Sequence, residues 1–187
     1  MTRAMESWSV LDVSHNRISD VPDKMVAPNK DLVLLDHNPV TILSLIEAGM
    51  GPDIPPTLFD LPIREASFTQ NLITFVPADV AQWAPTLERL TLARNLITHD
   101  MLPEEMTALT NMWELDISSN PLSTPGAHDV PDVIFRLPKV HALSLVCTGL
   151  HTLSPKIWEM ANINVLELKF NRDLPALPAL SEAALAK

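Results

Sequence analysis

One short phrase of residues recurs seven times along this chain and restricts the folds open to it. The phrase has apolar residues at its first, third and eighth positions and a polar residue at its sixth, as in Leu90, Leu92, Asn95 and Ile97; in the last copy the closing apolar residue shifts by one position to Leu174. The polar residues are Asn16, Asn38, Asn71, Asn95, Asn120, Thr148 and Asn171. They follow one another at intervals of 22 to 33 residues. A unit that returns at such a period predicts a solenoid, in which each turn buries its apolar face against the next turn.

The phrase itself predicts a short strand followed by a sharp turn. Side chains alternate across a strand, so the first and third positions both face the core. An asparagine amide can donate and accept hydrogen bonds, and it can therefore pair backbone groups that the turn leaves open. Stacked turns then form a parallel sheet with a structural ladder of asparagines beside it. Thr148 offers only a hydroxyl, so we expect its turn to be held least well.

A second periodic motif, an apolar residue followed by proline, lies between the phrases. Examples are Val76-Pro77, Leu102-Pro103 and Val130-Pro131. Proline suits the first turn of a helix because it has no N–H and a fixed φ. Apolar residues then recur every three positions, which predicts a short helical or 3₁₀ segment that returns the chain to the next strand.

On these motifs the chain resembles the leucine-rich-repeat family. Its prolines are similar to those of intracellular Ras-group repeats and bacterial-effector repeats. The resemblance implies an α/β solenoid: a right-handed curved slab with a parallel sheet on the concave face and short helical or 3₁₀ segments on the convex face. It predicts one domain of seven repeats over residues 8–178, with residues 1–7 and 179–187 as short terminal segments.

Composition excludes several classes of partner. The chain has 187 residues and a formal net charge of −10, without the basic cluster that nucleic acid or an anionic membrane surface requires. No apolar run approaches the roughly 18 residues of a membrane-spanning helix. Secreted members of the resembled family usually carry disulfide-bonded caps, whereas Cys147 is the single cysteine here. We therefore expect a soluble, intracellular protein.

The second repeat departs most from the period. Pro55 follows Asn38 by 17 positions, and we interpret residues 41–54 as an insertion. Its apolar side chains Leu43, Ile46 and Met50 have no repeat core to enter in this register. One hypothesis is a harmless surface loop; the other is a protrusion that carries these residues to a partner.

The concave strand positions are the other predicted binding surface, as the resemblance implies. The candidate partner-binding residues there are Asp12, Leu34, Asp36, Asp116 and Glu167. Glu65, Arg89 and Glu114 fall at equivalent positions of neighbouring strands, so we expect their charges to neutralise one another.

No motif predicts catalysis, a cofactor or a resident metal. His15 and His37 fall at equivalent positions near acidic residues and could ligate Zn²⁺, but that position normally faces solvent, so we expect no metal site. Cys147 has no basic neighbour that would activate its thiol, and we expect a partly buried structural residue.

These observations favour a non-catalytic protein–protein interaction module, either a scaffold or an accessory subunit of a larger assembly. Few residues lie outside the repeats at either end, so we expect either that the chain is part of a longer protein or that other protein chains cover the solenoid ends. The alternative is the substrate-recognition region of a multidomain enzyme, such as a ubiquitin ligase, whose catalytic domain lies outside this chain.

Overall fold

The computed structural model describes residues 10–12, 20–21, 32–34, 40–124 and 129–179, and within them it has short parallel strands. The strands are β1 (Val10–Asp12), β2 (Asp20–Val21), β3 (Leu32–Leu34), β4 (Ile42–Ser44), β5 (Glu65–Ser67), β6 (Arg89–Thr91), β7 (Glu114–Asp116), β8 (Ala142–Ser144) and β9 (Val165–Glu167). The main sheet has the order β2-β4-β5-β6-β7-β8-β9. Each strand of this sheet pairs in parallel with the strand of the next turn, so Leu90 lies opposite Ala66 on one side and Leu115 on the other.

Short helical segments return the chain from one strand to the next. The 3₁₀ helices are Pro56–Leu58, Ala78–Trp83, His99–Met101, Glu104–Ala108 and Pro155–Glu159, and α1 is Asp132–Phe135. Pro77, Pro103 and Pro131 are the N-cap residues of their segments, as the apolar-proline motif predicts. Successive segments contact one another, so they form a second layer across the apolar core from the sheet. The predicted α/β solenoid is confirmed.

The amino-terminal strands divide between two sheets. The predicted pairing of the first two repeats is present, because β1 pairs with β3 and Val10 lies opposite Leu32. This pair, however, is a separate two-stranded sheet, while β2 pairs with β4 in the main sheet. Asp12 and Leu34 therefore do not belong to the sheet that carries Asp116. The predicted continuous sheet is therefore divided here, and the role of Asp12 and Leu34 in partner binding stays a prediction.

The predicted insertion is itself a turn of the solenoid. Strand β4 lies within it and pairs with both β2 and β5. Leu43 and Met50 are buried in the common core, with exposed fractions of 1% and 7%. The sequence from Leu43 to Met50 has the spacing of the repeated phrase, with Ala48 in place of asparagine. The prediction that Leu43 and Met50 project toward a partner is therefore wrong, and Ile46 alone of the three is exposed.

A left-handed backbone conformation marks each of these turns. The residue just before the ladder position has a φ between 54° and 63° in six turns, at Glu47, Gln70, Arg94, Ser119, Cys147 and Phe170. This conformation costs a residue with a side chain about 1–2 kcal/mol. A hydrogen bond to the next turn offsets that cost: for example, the Arg94 N–H donates to the Ser118 carbonyl oxygen at 2.8 Å. The periodic position of Glu47 independently assigns Ala48 to the ladder.

The buried asparagines join neighbouring turns through the same set of hydrogen bonds. In Asn71, Nδ2 donates to the carbonyl oxygens of Leu45 at 2.7 Å and Phe68 at 2.9 Å. Its Oδ1 accepts the N–H of Met50 at 3.0 Å. Asn95 and Asn120 make the corresponding bonds in the next two turns. Asn16 and Asn38 lie outside the described residues.

Thr148 breaks this pattern at one junction. Its hydroxyl donates to the Leu145 carbonyl oxygen of its own turn at 2.9 Å. It also lies 3.1 Å from Asn171 Oδ1 in the following turn. The Leu122 N–H, which would pair with a ladder amide at position 148, donates instead to the Asn120 carbonyl oxygen at 2.8 Å. The Thr148 side chain therefore makes no hydrogen bond to the preceding turn within the described chain.

Replacing Thr148 with asparagine is expected to stabilise the protein. The new amide can reach the preceding turn while keeping the bond to Leu145, and one added hydrogen bond contributes about 1 kcal/mol. For a chain of this length, 1 kcal/mol raises the melting temperature by about 2–4 °C. Thermal unfolding followed by circular dichroism measures this change. A melting temperature equal to or below that of the wild type would show that the junction does not lack a ladder bond.

Candidate functional site

The open face of the main sheet is the first candidate surface. Its side chains are those that alternate with the buried strand residues, together with the residue just before each strand. From β4 to β9, the first row of strand residues contains Ile42, Glu65, Arg89, Glu114, Ala142 and Val165. Ile42, which lies in register with Asp20 of β2, and Val165 are large apolar residues exposed to solvent. Three charged residues lie between them, in the middle of the sheet.

Three ion pairs neutralise most of the charge on this face. Arg89 bonds to Glu65 on the neighbouring strand, Arg64 Nη2 lies 2.8 Å from Glu88 Oε1, and a third pair joins the last strand to its turn. The hydrogen bond to Glu65 raises the pKa of Arg89, and the charges of Glu65, Glu114 and Glu88 act in the same direction against a lowering by burial. These groups remain partly exposed, so each pair contributes little to stability. The arrangement agrees with the predicted neutralisation of Glu65 by Arg89.

Strand β7 carries the two acidic residues that these ion pairs do not neutralise. Glu114 and Asp116 are two residues apart and so project from the same face of the sheet. Asp116 Oδ1 accepts the N–H of Ser118 at 2.9 Å. Within the part of the chain that the structure describes, neither carboxylate forms an ion pair. The centre of the open face is therefore acidic.

An exposed tryptophan, Trp113, lies directly before this strand. Its exposed fraction is 37%, and the Arg89 guanidinium carbon lies 5.6 Å from the centre of its ring. Sequence reasoning missed this residue because it considered only positions inside the strands. The sequence does distinguish Trp113, because the residues directly before the neighbouring strands are the polar Arg64, Glu88 and His141, and an aromatic residue departs from this pattern.

The structure brings only part of the predicted partner-binding set together. Asp116 and Glu167 lie on the open face of the main sheet, where Glu167 Oε2 accepts a hydrogen bond from Ser144 Oγ at 3.2 Å. Ile46 is exposed beyond the end of β4. Asp36 lies outside the described residues.

Reactive groups do not converge in the described chain. No group of three or more His, Cys, Asp or Glu side chains is placed to hold a metal ion there, and His15 and His37 lie outside the described residues. Cys147 is exposed rather than partly buried, because the left-handed turn directs it away from the core. No described helix has the length and apolar character needed to cross a lipid bilayer.

Comparisons with known proteins show what the fold of this chain is similar to. No family model matches the chain. A solved leucine-rich-repeat protein of Leptospira interrogans has a TM-score of 0.54 at 24% identity, over 91% of this chain and 48% of that one. A plant peptide hormone receptor, RGFR1 in complex with RGF2, has a TM-score of 0.46 at 16% identity, over 86% of this chain and 24% of that one. The second score is too low to support a conclusion.

The chain is similar to a curated protein over a short segment. The H3 lysine-79-specific histone-lysine N-methyltransferase of Mycosarcoma maydis is 31% identical over 84 residues, which is 42% of this chain and 10% of that protein. The chain thus spans less than half the length of each of these three proteins.

The class of protein follows from the fold and from the structural match. The main sheet adds one parallel strand per turn, buried ladder side chains join the turns, and short helical segments return the chain. The Leptospira protein shares this fold over 91% of the chain. The chain has the leucine-rich-repeat fold.

Proposed function

We propose that the chain is a non-catalytic protein-recognition module that serves as a scaffold or an accessory subunit of a larger assembly. The observation that carries the proposal is the patch formed by Trp113, Arg89, Glu114 and Asp116 on the open face of the sheet. An exposed tryptophan beside charged groups has the composition of an interface hot spot. Ile46 and Glu167 belong to the same proposed interface at its two ends.

The geometry suits a folded protein or peptide better than other partners. Parallel strands hold the patch on a fixed backbone, so binding orders few groups and loses little entropy. The chain is acidic overall, with a formal net charge of −10, which disfavours nucleic acid. We infer that the protein works inside the cell, where a single exposed cysteine remains reduced.

Replacing Trp113 with alanine is expected to weaken partner binding by at least about 30-fold, the loss of about 2 kcal/mol that defines a hot spot. Proteins captured by the intact chain from its native source are identified by mass spectrometry. The affinity of each purified partner is then measured by calorimetry.

Met101→Ala is the matched control for this experiment. Met101 is also a large, partly exposed apolar residue, but it lies in the 3₁₀ helix His99–Met101 on the opposite layer. Its replacement should change the affinity less than about threefold, the effect of a peripheral contact. Equal affinities for wild type and Trp113→Ala, across all partners, would contradict the proposed surface.

The second candidate function is the recognition region of a multidomain enzyme, with a ubiquitin ligase as one example. The partial match to a methyltransferase, which covers 10% of that protein, supports this candidate because it relates the chain to a segment of a larger enzyme. Sequencing the full transcript decides between the two. A coding region that continues into a catalytic domain supports the recognition region, and fixed stoichiometry with separate subunits supports the scaffold.

A further inference from the structure

A second surface, the ladder edge, runs along the side of the solenoid where the strands end. We define it by the residues just before and just after each ladder residue. The residue after the ladder position is Leu72 in one turn and Leu96 in the next, and both are exposed. Phe170, just before the last ladder residue, has an exposed fraction of 72%. Monomeric proteins seldom expose large apolar side chains in one contiguous row without a function.

An open groove of about 930 Å³ crosses the ladder edge between the turns of Asn95 and Asn171. Leu96, Pro121 and Phe170 are among its apolar lining residues. Gly149 takes the position that Leu96 and Pro121 occupy in the preceding turns, and it has no side chain to fill the space. The groove therefore has a gap at Gly149 between apolar walls, which is large enough for an apolar side chain from another molecule.

Two arginines border the groove although the chain as a whole is acidic. Arg172 lines the groove, and Arg94 lies one residue before the ladder position at its other end. Both side chains are exposed, and neither forms an ion pair within the described residues. The acid in the groove, Asp173, lies 3.9 Å from the ring of His151. Two uncompensated guanidinium groups thus flank the apolar walls, and they favour carboxylates on a bound segment.

We propose that this groove binds an extended protein segment with one large apolar side chain placed over Gly149 and acidic residues on both sides of it. Neighbouring strands lie about 4.8 Å apart, so the three steps from the Asn95 turn to the Asn171 turn span roughly 14 Å. An extended segment advances about 3.3 Å per residue and would cover the groove with roughly four or five residues. This binding surface is distinct from the open sheet face and goes beyond the function proposed for that face.

Cys147 provides a direct test because it is the single cysteine of the chain and lines the groove. The probe is a five-residue peptide with phenylalanine at its centre and glutamate at the other four positions. The control peptide has lysine in place of glutamate. At saturation, the acidic peptide should slow the alkylation of Cys147 by iodoacetamide at least about fivefold, whereas the lysine peptide should leave the rate unchanged.

Two variants test which residues of the groove bind the acidic peptide. Gly149 has a left-handed φ of 76°, which asparagine tolerates. The Gly149→Asn side chain should fill the gap and so abolish the protection of Cys147 by the acidic peptide. Arg172→Glu should weaken the acidic peptide about fivefold, the effect of one exposed charge pair. Lys139→Glu makes the same charge change on an exposed side chain outside the groove and should leave the affinity within a factor of two.

The experiment has outcomes that overturn the proposal. Equal protection by the two peptides would show that charge does not select the segment. Undiminished protection of Cys147 in Arg172→Glu would show that this arginine does not bind the acidic peptide. This variant still tests the proposal if Gly149→Asn fails to fold. Protection that rises with protein concentration without peptide would show that a second copy of the chain occupies the groove. Loss of partner binding in Trp113→Ala with Cys147 protection intact would separate the two surfaces.

Discussion

Replacing Trp83 with alanine is expected to destabilise the protein by about 4–5 kcal/mol, the upper range for removing a buried aromatic side chain. Trp83 is fully buried, and its ring centre lies 4.7 Å from that of Phe59 and 6.2 Å from that of Phe68. Its Nε1 donates to the Leu58 carbonyl oxygen at 3.2 Å, so the substitution removes a buried hydrogen bond as well as leaving a cavity. The change is measured as the free energy of unfolding in urea.

Trp113→Ala is the matched control, since it removes the same side chain from an exposed position. It should lower stability by less than about 1 kcal/mol, as is usual at a surface. Equal losses in the two variants would show that the core is not centred on Trp83. Neighbouring turns of a solenoid stabilise one another, so increased amide hydrogen exchange in Trp83→Ala should be largest around β5 and β6.

Replacing Asn95 with alanine is expected to destabilise the protein by about 2–4 kcal/mol, because each buried group left unpaired costs about 1–3 kcal/mol. Asn95 Nδ2 donates to the carbonyl oxygens of Phe68 and Leu92, both at 2.9 Å, and its Oδ1 accepts the Ile73 N–H at 3.1 Å. Alanine removes the link between two turns and leaves the buried Ile73 N–H without its partner. The loss is measured by urea and thermal unfolding.

Asn111→Ala separates the ladder effect from the loss of any asparagine. Asn111 Nδ2 also donates to two carbonyl oxygens, those of Ala84 at 3.2 Å and Pro85 at 2.9 Å, but these groups lie near solvent. Water can replace the lost bonds there, so the variant should lose less than about 1 kcal/mol. A wild-type melting temperature for Asn95→Ala would mean that the ladder does not stabilise the fold.

Much of the solenoid could be predicted from the sequence because its stabilising elements are local and periodic. The phrase around Asn95 predicted the buried face of β6, its pairing with β5 and β7, and the sharp turn after the strand. The proline at position 103 predicted where a return segment begins. Each turn repeats the same contacts with its neighbours, so one correct turn is sufficient to place the next.

The turn at Ala48 shows where this reasoning fails. The expected asparagine is missing, so the sequence pattern predicts an insertion where the structure has a regular turn. The ladder residue of the following turn holds this one: Asn71 Oδ1 accepts the Met50 N–H at 3.0 Å, and its Nδ2 donates to the Leu45 carbonyl oxygen at 2.7 Å. Only the packing of the two turns shows that the Ala48 turn is joined to the next one without an asparagine of its own.

The sequence by itself determined the repeat, its strands, the short helical segments that return the chain to the next strand, and the fold class that these elements define. The tertiary structure decided which side chains meet at the surface. The contact of Trp113 with Arg89 and the groove beside Gly149 both join residues from different turns. The positions on these surfaces face solvent, and no core contact restricts which residues occupy them. The periodic pattern therefore carries no information about them, and their chemistry becomes visible only when the turns are stacked.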